Sequence, residues 1–210
     1  MGGNRGGRSS DPAAGEMKVH NLHSLIIKLT SGDDDVAENA ANAITALGET
    51  ALPALFDLLD SADPIARWWA LRTLAGIPHP VVPVQLRRFL GDPDPDMQQC
   101  AALGLSQQPW AEAIPDLVNV LDDEDRLLAR LAGDALIAIG SQAVPHLIDT
   151  LENGTPAAQI EAARSLALIG DPSAIPALFK AWQDGSAMIQ YWAEEGFERM
   201  GVGMQFFRPD

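Results

Sequence analysis

The sequence predicts an all-α fold, a solenoid of six helical hairpins with about twelve helices, and three observations predict it. Similar segments recur about every 30 residues as far as Gly201. Each segment carries apolar residues four positions apart on one helical face. Each is also preceded by a short apolar stretch, which in five of the six copies begins near a proline. A fixed period of roughly 20–50 residues is typical of repeats that stack to bury a shared core.

The N-terminal segment MGGNRGGRSSDPAAGEM is rich in Gly, Ser and Arg and contains no apolar run. This composition is typical neither of a signal peptide nor of a helix. We therefore expect residues 1–16 to form a disordered tail and residues 17–201 to form the repeat array. Residues 202–210 are predicted to form a C-terminal capping tail.

The first helix of each hairpin is predicted from a proline-led apolar stripe. The five clear copies are LPALFDLLD, VPVQLRRFLGD, IPDLVNVLDD, VPHLIDTLEN and IPALFKAWQD. Proline suits the first helical turn because the N–H group that it lacks has no intrahelical partner there. The most N-terminal copy, VHNLHSLIIKLTSGD, lacks the proline but keeps the apolar stripe. Asp, Asn and Gly after the stripes indicate turns.

The second helix of each hairpin ends at a recurring point, which we call its endpoint. The endpoints are Gly48, Pro78, Gln107, Gly140, Gly170 and Gly201, at steps of 30, 29, 33, 30 and 31 residues. Four residues before them stand Ile44, Leu74, Leu103, Leu136, Leu166 and Phe197. Eight residues before them stand Ala40, Ala70, Gln99, Ala132, Ala162 and Ala193. This spacing places both residues on one helical face, where the small one lets a neighbouring helix approach.

The third copy departs from this pattern. Gln99 stands in place of the alanine and Gln107 in place of the glycine, and the turn SQQPWAEA that follows is longer. We therefore expect a local irregularity in the stacking of this copy.

The units resemble HEAT-like repeats, in particular the short repeats of phycobilin lyase subunits. The shared pattern is an acidic turn, a helix with a spaced alanine, a Leu-x-x-Ile-Gly ending and a short turn into Xaa-Pro-x-Leu, from about residue 19 to 201. The resemblance implies a right-handed α-solenoid whose second helices line a concave groove. Because such repeats serve many unrelated roles, the resemblance constrains function only weakly.

Two positions on each second helix are predicted to face away from its core. At about 100° per residue, the tenth residue before the endpoint lies nearly opposite the core stripe and the sixth lies close beside it. We call them positions −10 and −6. The candidate partner-binding residues at and next to these positions are Trp68, Arg72, Met97, Arg130, Asp134, Ile160, Arg164, Tyr191, Trp192 and Glu195. Apolar residues that face away from a core are typical of binding surfaces.

Two tryptophans stand side by side in PIARWWALRTLAGIP. Trp68 occupies position −10, so we expect it to line the groove. Trp69 and Trp192 occupy position −9 and turn toward the side of the helix, where the adjacent repeat packs. An alternative, that Trp68 and Trp69 both only pack against neighbouring helices, stays open.

The charge balance restricts the classes of partner. The net charge is −15, which argues against nucleic acid because phosphate binding depends on Lys and Arg. It favours a basic partner or simply confers solubility. No apolar run approaches the roughly 18 residues of a membrane span, and the single cysteine, Cys100, excludes an internal disulfide. We therefore expect a cytoplasmic protein that does not insert into membranes.

No residue set typical of catalysis or metal binding stands out. His20 and His23 are close in sequence, but no third ligand accompanies them, and Cys100 has no basic neighbour. The acidic turns precede second helices, where carboxylates cap free N–H groups. The run GDPDPD at 91–96 fits capping better than calcium, because no Gly and Glu follow at EF-hand spacing. We assign no catalytic residue, cofactor or metal.

The predicted function is a non-catalytic scaffold or adaptor that binds another protein or a peptide in the groove. Arginine among aromatic side chains also suits the carboxylates of a flat ligand. The resemblance therefore implies an alternative, a lyase-like or chaperone-like subunit that handles a tetrapyrrole together with a second solenoid.

Overall fold

A computed structural model describes residues 12–202, with side chains from residue 21 onward. Within this range the chain forms twelve α-helices and no strand, which confirms the predicted all-α class. The chain divides into two compact units that meet in sequence between Ile77 and Pro78. Each unit is a stack of helical hairpins.

Unit 1 contains the first two hairpins. Its helices are α1 (Pro12–Leu29), α2 (Asp34–Leu47), α3 (Leu52–Leu59) and α4 (Pro64–Ala75). Helix α1 pairs with α2, α3 pairs with α4, and the two second helices pack on each other. Helix α1 begins inside the segment predicted to be a tail. Residues 1–11 and 203–210 lie outside the described residues, so the two tails stay predictions.

Unit 2 contains the remaining four hairpins. Its helices are α5 (Val81–Arg88), α6 (Pro95–Gln107), α7 (Ile114–Val120), α8 (Arg126–Ile139), α9 (Val144–Asn153), α10 (Pro156–Ile169), α11 (Ile175–Asp184) and α12 (Ala187–Arg199). The second helices α6, α8, α10 and α12 pack side by side in chain order. The first helices α7, α9 and α11 also pack in chain order.

The acidic turns cap the second helices, as predicted. The N-cap residues of the six second helices are Asp33, Asp63, Asp94, Asp125, Thr155 and Ser186. In each case the side-chain oxygen accepts a hydrogen bond from a backbone N–H group of the first turn. The steps between these caps are 30, 31, 31, 30 and 31 residues, so the repeat is regular along its whole length.

The predicted register of the third repeat is wrong by two residues. Its N-cap, Asp94, places the endpoint at Pro109 rather than Gln107, because the other five endpoints lie 15 residues after their caps. Ala101 then takes position −8 and Leu105 takes position −4, and both are fully buried. The expected irregularity disappears, since every second helix has alanine at −8.

The core follows the corrected stripe. The alanines at position −8 and the large residues at position −4 are all buried, with exposed fractions of 5% or less. Where an endpoint is glycine, the backbone there has a positive φ, as at Gly140 (80°) and Gly170 (68°), which only glycine adopts at low cost.

One stretch, 126–153, is long and apolar enough by length and composition to cross a membrane. Gly140 divides it into α8 and α9, with a 3₁₀ turn between them, so it does not form one straight helix. Buried residues of both helices, such as Leu136 and Leu147, belong to the core of unit 2.

Candidate functional site

Three predicted residues form a row across the second helices of unit 2. Arg130 on α8, Ile160 on α10 and Tyr191 on α12 all occupy position −10 of helices that pack side by side. Arg130 and Tyr191 are exposed and Ile160 is half-buried. We call the residues at −10 and −6 of α6, α8, α10 and α12 the second-helix surface of unit 2.

Arg164 does not face solvent, and the prediction that it does is wrong. Its side chain is only 2% exposed. The guanidinium reaches back to helix α8, where Nη2 donates to the Arg130 carbonyl (3.1 Å) and to Asp134 Oδ1 (2.7 Å). Its Nε donates to Glu161 Oε2 at 2.9 Å. A long side chain at an outward angle is therefore buried by its contacts with the neighbouring helix.

A glycine on α8 makes room for this guanidinium. A Cβ atom built on Gly133 would lie 2.9 Å from Arg164 Nη2 and 3.2 Å from Ser165 Oγ. Glu161 also lies 3.9 Å from Arg130 Nη1, so two arginines share one carboxylate. The network fixes α8 against α10 directly beneath the exposed row.

Met97 is a second wrong prediction, because it is fully buried. The two-residue register error explains this, since Met97 belongs to the core stripe with Ala101 and Leu105. The residues that take positions −10 and −6 on α6 are Gln99, which is half-buried, and Leu103, which is 45% exposed. The Asp63-Pro64 and Asp94-Pro95 pairs, each at a helix start, were the sequence signal for the correct register.

Gln99 also links two second helices. Its Nε2 donates to Oδ2 of Asp125, the N-cap of α8, at 2.6 Å. This hydrogen bond, followed by those from the backbone at Leu128 and Leu127, lowers the pKa of the Asp125 carboxyl below its ordinary value. The cap therefore stays ionised, which favours the helix N-terminus.

Helix α12 presents two exposed apolar side chains, Tyr191 of the second-helix surface and Met188 one turn before it. Met188 is 51% exposed and Tyr191, one turn later, is 54% exposed. Trp192 is half-buried and meets the Tyr191 ring edge-on, with centroids 5.1 Å apart. Glu195 accepts a hydrogen bond from Arg199 Nε at 2.8 Å, on the same helix. Exposed apolar side chains bordered by charged residues are the usual composition of a binding surface.

In unit 1, four side chains of α2 and α4 form one cluster. The Trp68 and Trp69 rings meet edge-on with centroids 5.0 Å apart. The Arg72 guanidinium carbon lies 5.5 Å from the Trp68 centroid and 5.2 Å from that of Trp69. Both terminal nitrogens of Arg72 donate to the Glu38 carboxylate of α2, Nη2 to Oε1 at 3.1 Å. The arginine is therefore held in place by a bidentate ion pair and two aromatic faces.

Burial separates the two tryptophans in the predicted order. Trp69 is 5% exposed, whereas Trp68 is half-buried. The hydrogen bond from Arg72 lowers the pKa of Glu38 below its ordinary value, because together with the charge of Arg72 it outweighs the opposing effect of burial. The pair is therefore ionised at neutral pH.

The ten predicted residues thus fall into two groups. Trp68 and Arg72 lie in unit 1, and the other eight lie in unit 2. The continuous concave groove that would unite them stays a prediction, as do their roles in binding.

A pocket on the first helices of unit 2 was missed by sequence reasoning. It is lined by Arg87 on α5, by Trp110 in the turn before α7 and by Asp116 on α7, and its volume is about 510 Å³. The signal was present in SQQPWAEA, where a tryptophan follows the corrected endpoint Pro109. In the part of the chain with described side chains, no three His, Cys, Asp or Glu residues group as metal ligands would.

Comparison with known proteins supports a repeat architecture. A family model described as HEAT repeats matches residues 22–106, 60–137, 82–156 and 144–201. These overlapping matches together cover nearly all of the described residues.

Two curated proteins are similar to part of the chain. A phycobilisome maturation protein of Synechococcus elongatus is 35% identical over 101 residues, which is 48% of this chain and 49% of that protein. A phycocyanobilin lyase subunit beta of Pseudanabaena tenuis is 32% identical over 122 residues, 56% of this chain and 40% of that protein. The chain therefore matches half or less of the length of these relatives.

A solved structure with a similar fold is a designed armadillo repeat protein in complex with the peptide (KR)4. The TM-score is 0.52 at 19% identity, and the alignment covers 85% of this chain and 99% of the designed protein. At this identity the likeness shows the fold alone.

Proposed function

This chain belongs to the HEAT repeat family, and from that premise we propose that it is a non-catalytic scaffold that binds a protein or peptide on its second helices. Stacked helical repeats offer extended surfaces whose fold does not depend on the residues that face the partner. Family membership constrains function weakly, so the proposal rests on the side chains of the surface.

The observation that carries the proposal is the exposed apolar pair on α12. Met188 and Tyr191 are both about half exposed, although removing an aromatic or thioether side chain from water is energetically favourable. Aromatic residues are the commonest energetic anchors of protein interfaces. Trp192 and Ile160 extend the same surface and are half-buried.

The charges around this pair favour a specific orientation of the partner. Arg130 is exposed on α8, while Glu195 lies one turn from Tyr191 on α12. A partner that carries an acidic group near α8 and a basic group near α12 would therefore be oriented on the surface. The net charge of −15 would in addition speed the approach of a basic partner.

Affinity purification from the native cell with matched variants tests this proposal. We expect Tyr191→Ala to weaken retention of a specific partner by at least about tenfold, the loss expected for an aromatic anchor of an interface. His146→Ala is the matched control, because it truncates an exposed ring side chain that lies on the first helix α9 and not on a second helix. Equal retention by wild type and Tyr191→Ala, with both proteins folded, would count against the scaffold proposal.

A second candidate function is favoured by the two curated relatives. Their names refer to phycobilisome maturation and to a phycocyanobilin lyase subunit, which supports a subunit that handles a tetrapyrrole. Trp68 with Arg72 offers an aromatic face and a cation, which suit a flat ligand that carries carboxylates. As the family resemblance implies, a subunit of this kind would act together with a second solenoid.

Titration with phycocyanobilin separates the two candidates. Binding to a chiral site should shift the visible absorbance and induce circular dichroism in the pigment band, and Trp68→Ala should reduce both signals. The same titration with the Tyr191→Ala variant reports whether the second-helix surface of unit 2 contributes. If wild-type protein leaves both spectra unchanged, the tetrapyrrole candidate is excluded for this chain alone, and the scaffold proposal is unaffected.

A further inference from the structure

The pocket on the first helices of unit 2 arises from a gap in helix packing. Helix α7 packs against α9 and α9 against α11, but α5 and α7 approach each other less closely. The 3₁₀ segment Phe89–Gly91 and Trp110 fill part of the gap and leave a pocket of about 510 Å³ that opens to solvent. Val84, Leu90 and Val120 supply apolar walls. This volume is in the range of pockets that bind small ligands or large side chains, roughly 300–1,000 Å³.

The charged residues that line this pocket include two arginines. Arg87 forms an ion pair through Nε with Asp116 of α7, and its guanidinium carbon lies 5.9 Å from the Trp110 centroid. Both contacts leave the terminal nitrogens of Arg87 without a hydrogen-bond acceptor among the described residues. The guanidinium is therefore oriented by the protein and keeps donors for a ligand.

A second arginine adds to this charge. Arg88 is exposed at the edge of the same pocket, and its Nη1 donates to Gln85 Oε1 at 2.7 Å. It makes no ion pair with any described residue. The charged residues that line the pocket are thus two arginines and one aspartate, Asp116, so the lining is positive in a chain whose net charge is −15. Charge complementarity therefore favours an anionic ligand.

We propose that this pocket binds a peptide segment of a partner protein in which an acidic residue flanks a large apolar side chain. The apolar side chain enters between Val84, Leu90 and the Trp110 ring. The neighbouring carboxylate pairs with Arg88 and with the terminal nitrogens of Arg87, in the bidentate geometry that guanidinium groups favour. The site lies on first helices, so it is separate from the second-helix surface of unit 2.

Selection from a displayed library of random short peptides tests the ligand chemistry. We expect wild-type protein to enrich sequences with Asp or Glu next to Phe, Leu, Trp or Met. Enrichment of basic or purely polar sequences, or no enrichment at all, would overturn the proposal.

Point variants then place the binding site. A labelled peptide of the enriched sequence should bind at least about tenfold more weakly to Arg88→Glu and to Trp110→Ala in a fluorescence polarisation assay. The matched control is Arg126→Glu on α8, which makes the same charge change at another exposed position of unit 2 and should leave affinity unchanged. Because Trp110→Ala removes apolar packing, the exposed Arg88→Glu variant keeps the test independent of folding.

The outcomes separate this site from the proposed scaffold function. Tyr191→Ala should leave binding of the selected peptide unchanged, because Tyr191 lies on α12. Equal affinity of wild type and Arg88→Glu, or equal losses for Arg88→Glu and Arg126→Glu, would show that the peptide does not use the pocket. Either result leaves the function of the second-helix surface unaffected.

Discussion

Replacing Arg164 with Met should destabilise unit 2 by about 2–3 kcal/mol. The change removes three hydrogen bonds, to Glu161, Asp134 and the Arg130 carbonyl, and keeps most of the buried stem. Removing one partner of a buried ion pair costs about 3–5 kcal/mol when the other stays unsolvated. The loss here should be smaller, because the Asp134 side chain is 44% exposed and can regain water, whereas Glu161 is only 18% exposed.

Urea denaturation followed by circular dichroism measures this loss. A double-mutant cycle with Glu161→Gln should give a coupling energy of about 1–2 kcal/mol, since the two side chains are in direct contact. A destabilisation by Arg164→Met of less than about 0.5 kcal/mol, the range of ordinary surface changes, would refute the view that this guanidinium joins α8 to α10.

The space left by Gly133 provides an internal control. Alanine in a helix interior is favoured over glycine by about 1 kcal/mol, but here its Cβ would meet Arg164 Nη2 at 2.9 Å. The effect of Gly133→Ala on the free energy of unfolding should therefore be less favourable in wild type than in an Arg164→Ala background, by about 1 kcal/mol. An equal effect in both backgrounds would show that the glycine is not required by the guanidinium.

Trp69→Ala should lower the free energy of unfolding by about 3 kcal/mol through a cavity, whereas Trp68→Ala should cost less than half as much and weaken partner binding instead. Thermal unfolding and binding assays of the two variants decide this, and equal stability losses would contradict it. Ala132→Leu should overpack a fully buried helix contact at a cost of about 1–3 kcal/mol, and an unchanged denaturation midpoint would argue against this close contact. Because Arg72 lowers the pKa of Glu38, the stability from this pair should be complete above the ordinary Glu pKa of about 4.3 and be lost as pH falls through the lowered value. Glu38→Gln should remove that part of the pH–stability profile, and a profile unchanged by the substitution would refute the assignment.

The sequence by itself determined the repeat, the hairpins and most of the core. These features depend on interactions within about four residues along a helix, and such interactions leave a period in the sequence. Ala132 and Leu136 are buried as the stripe predicts, and Asp63 and Asp125 cap the helices that follow them.

In the third repeat the apolar stripe alone predicted the wrong helical register. An apolar stripe can be read in more than one register when apolar residues are close together, as they are around Ala101, Leu103 and Leu105. The N-cap Asp94 resolves the register, because a cap fixes the start of a helix whereas a stripe fixes only its face. The Asp94-Pro95 pair carries this information in the sequence, whereas the apolar stripe alone does not.

Two features were decided only by the tertiary structure. Arg164 stands at an outward helical angle, but it is buried because Gly133, Asp134 and the Arg130 carbonyl of the neighbouring helix α8 surround its guanidinium. The pocket between Arg87 and Trp110 exists because α5 and α7 pack less closely than the later first helices. Both depend on the distance between helices that are about 30 residues apart in sequence. A helical period specifies the direction of a side chain from its own axis, but the neighbouring helix decides whether that direction leads to solvent, to a partner or to a cavity.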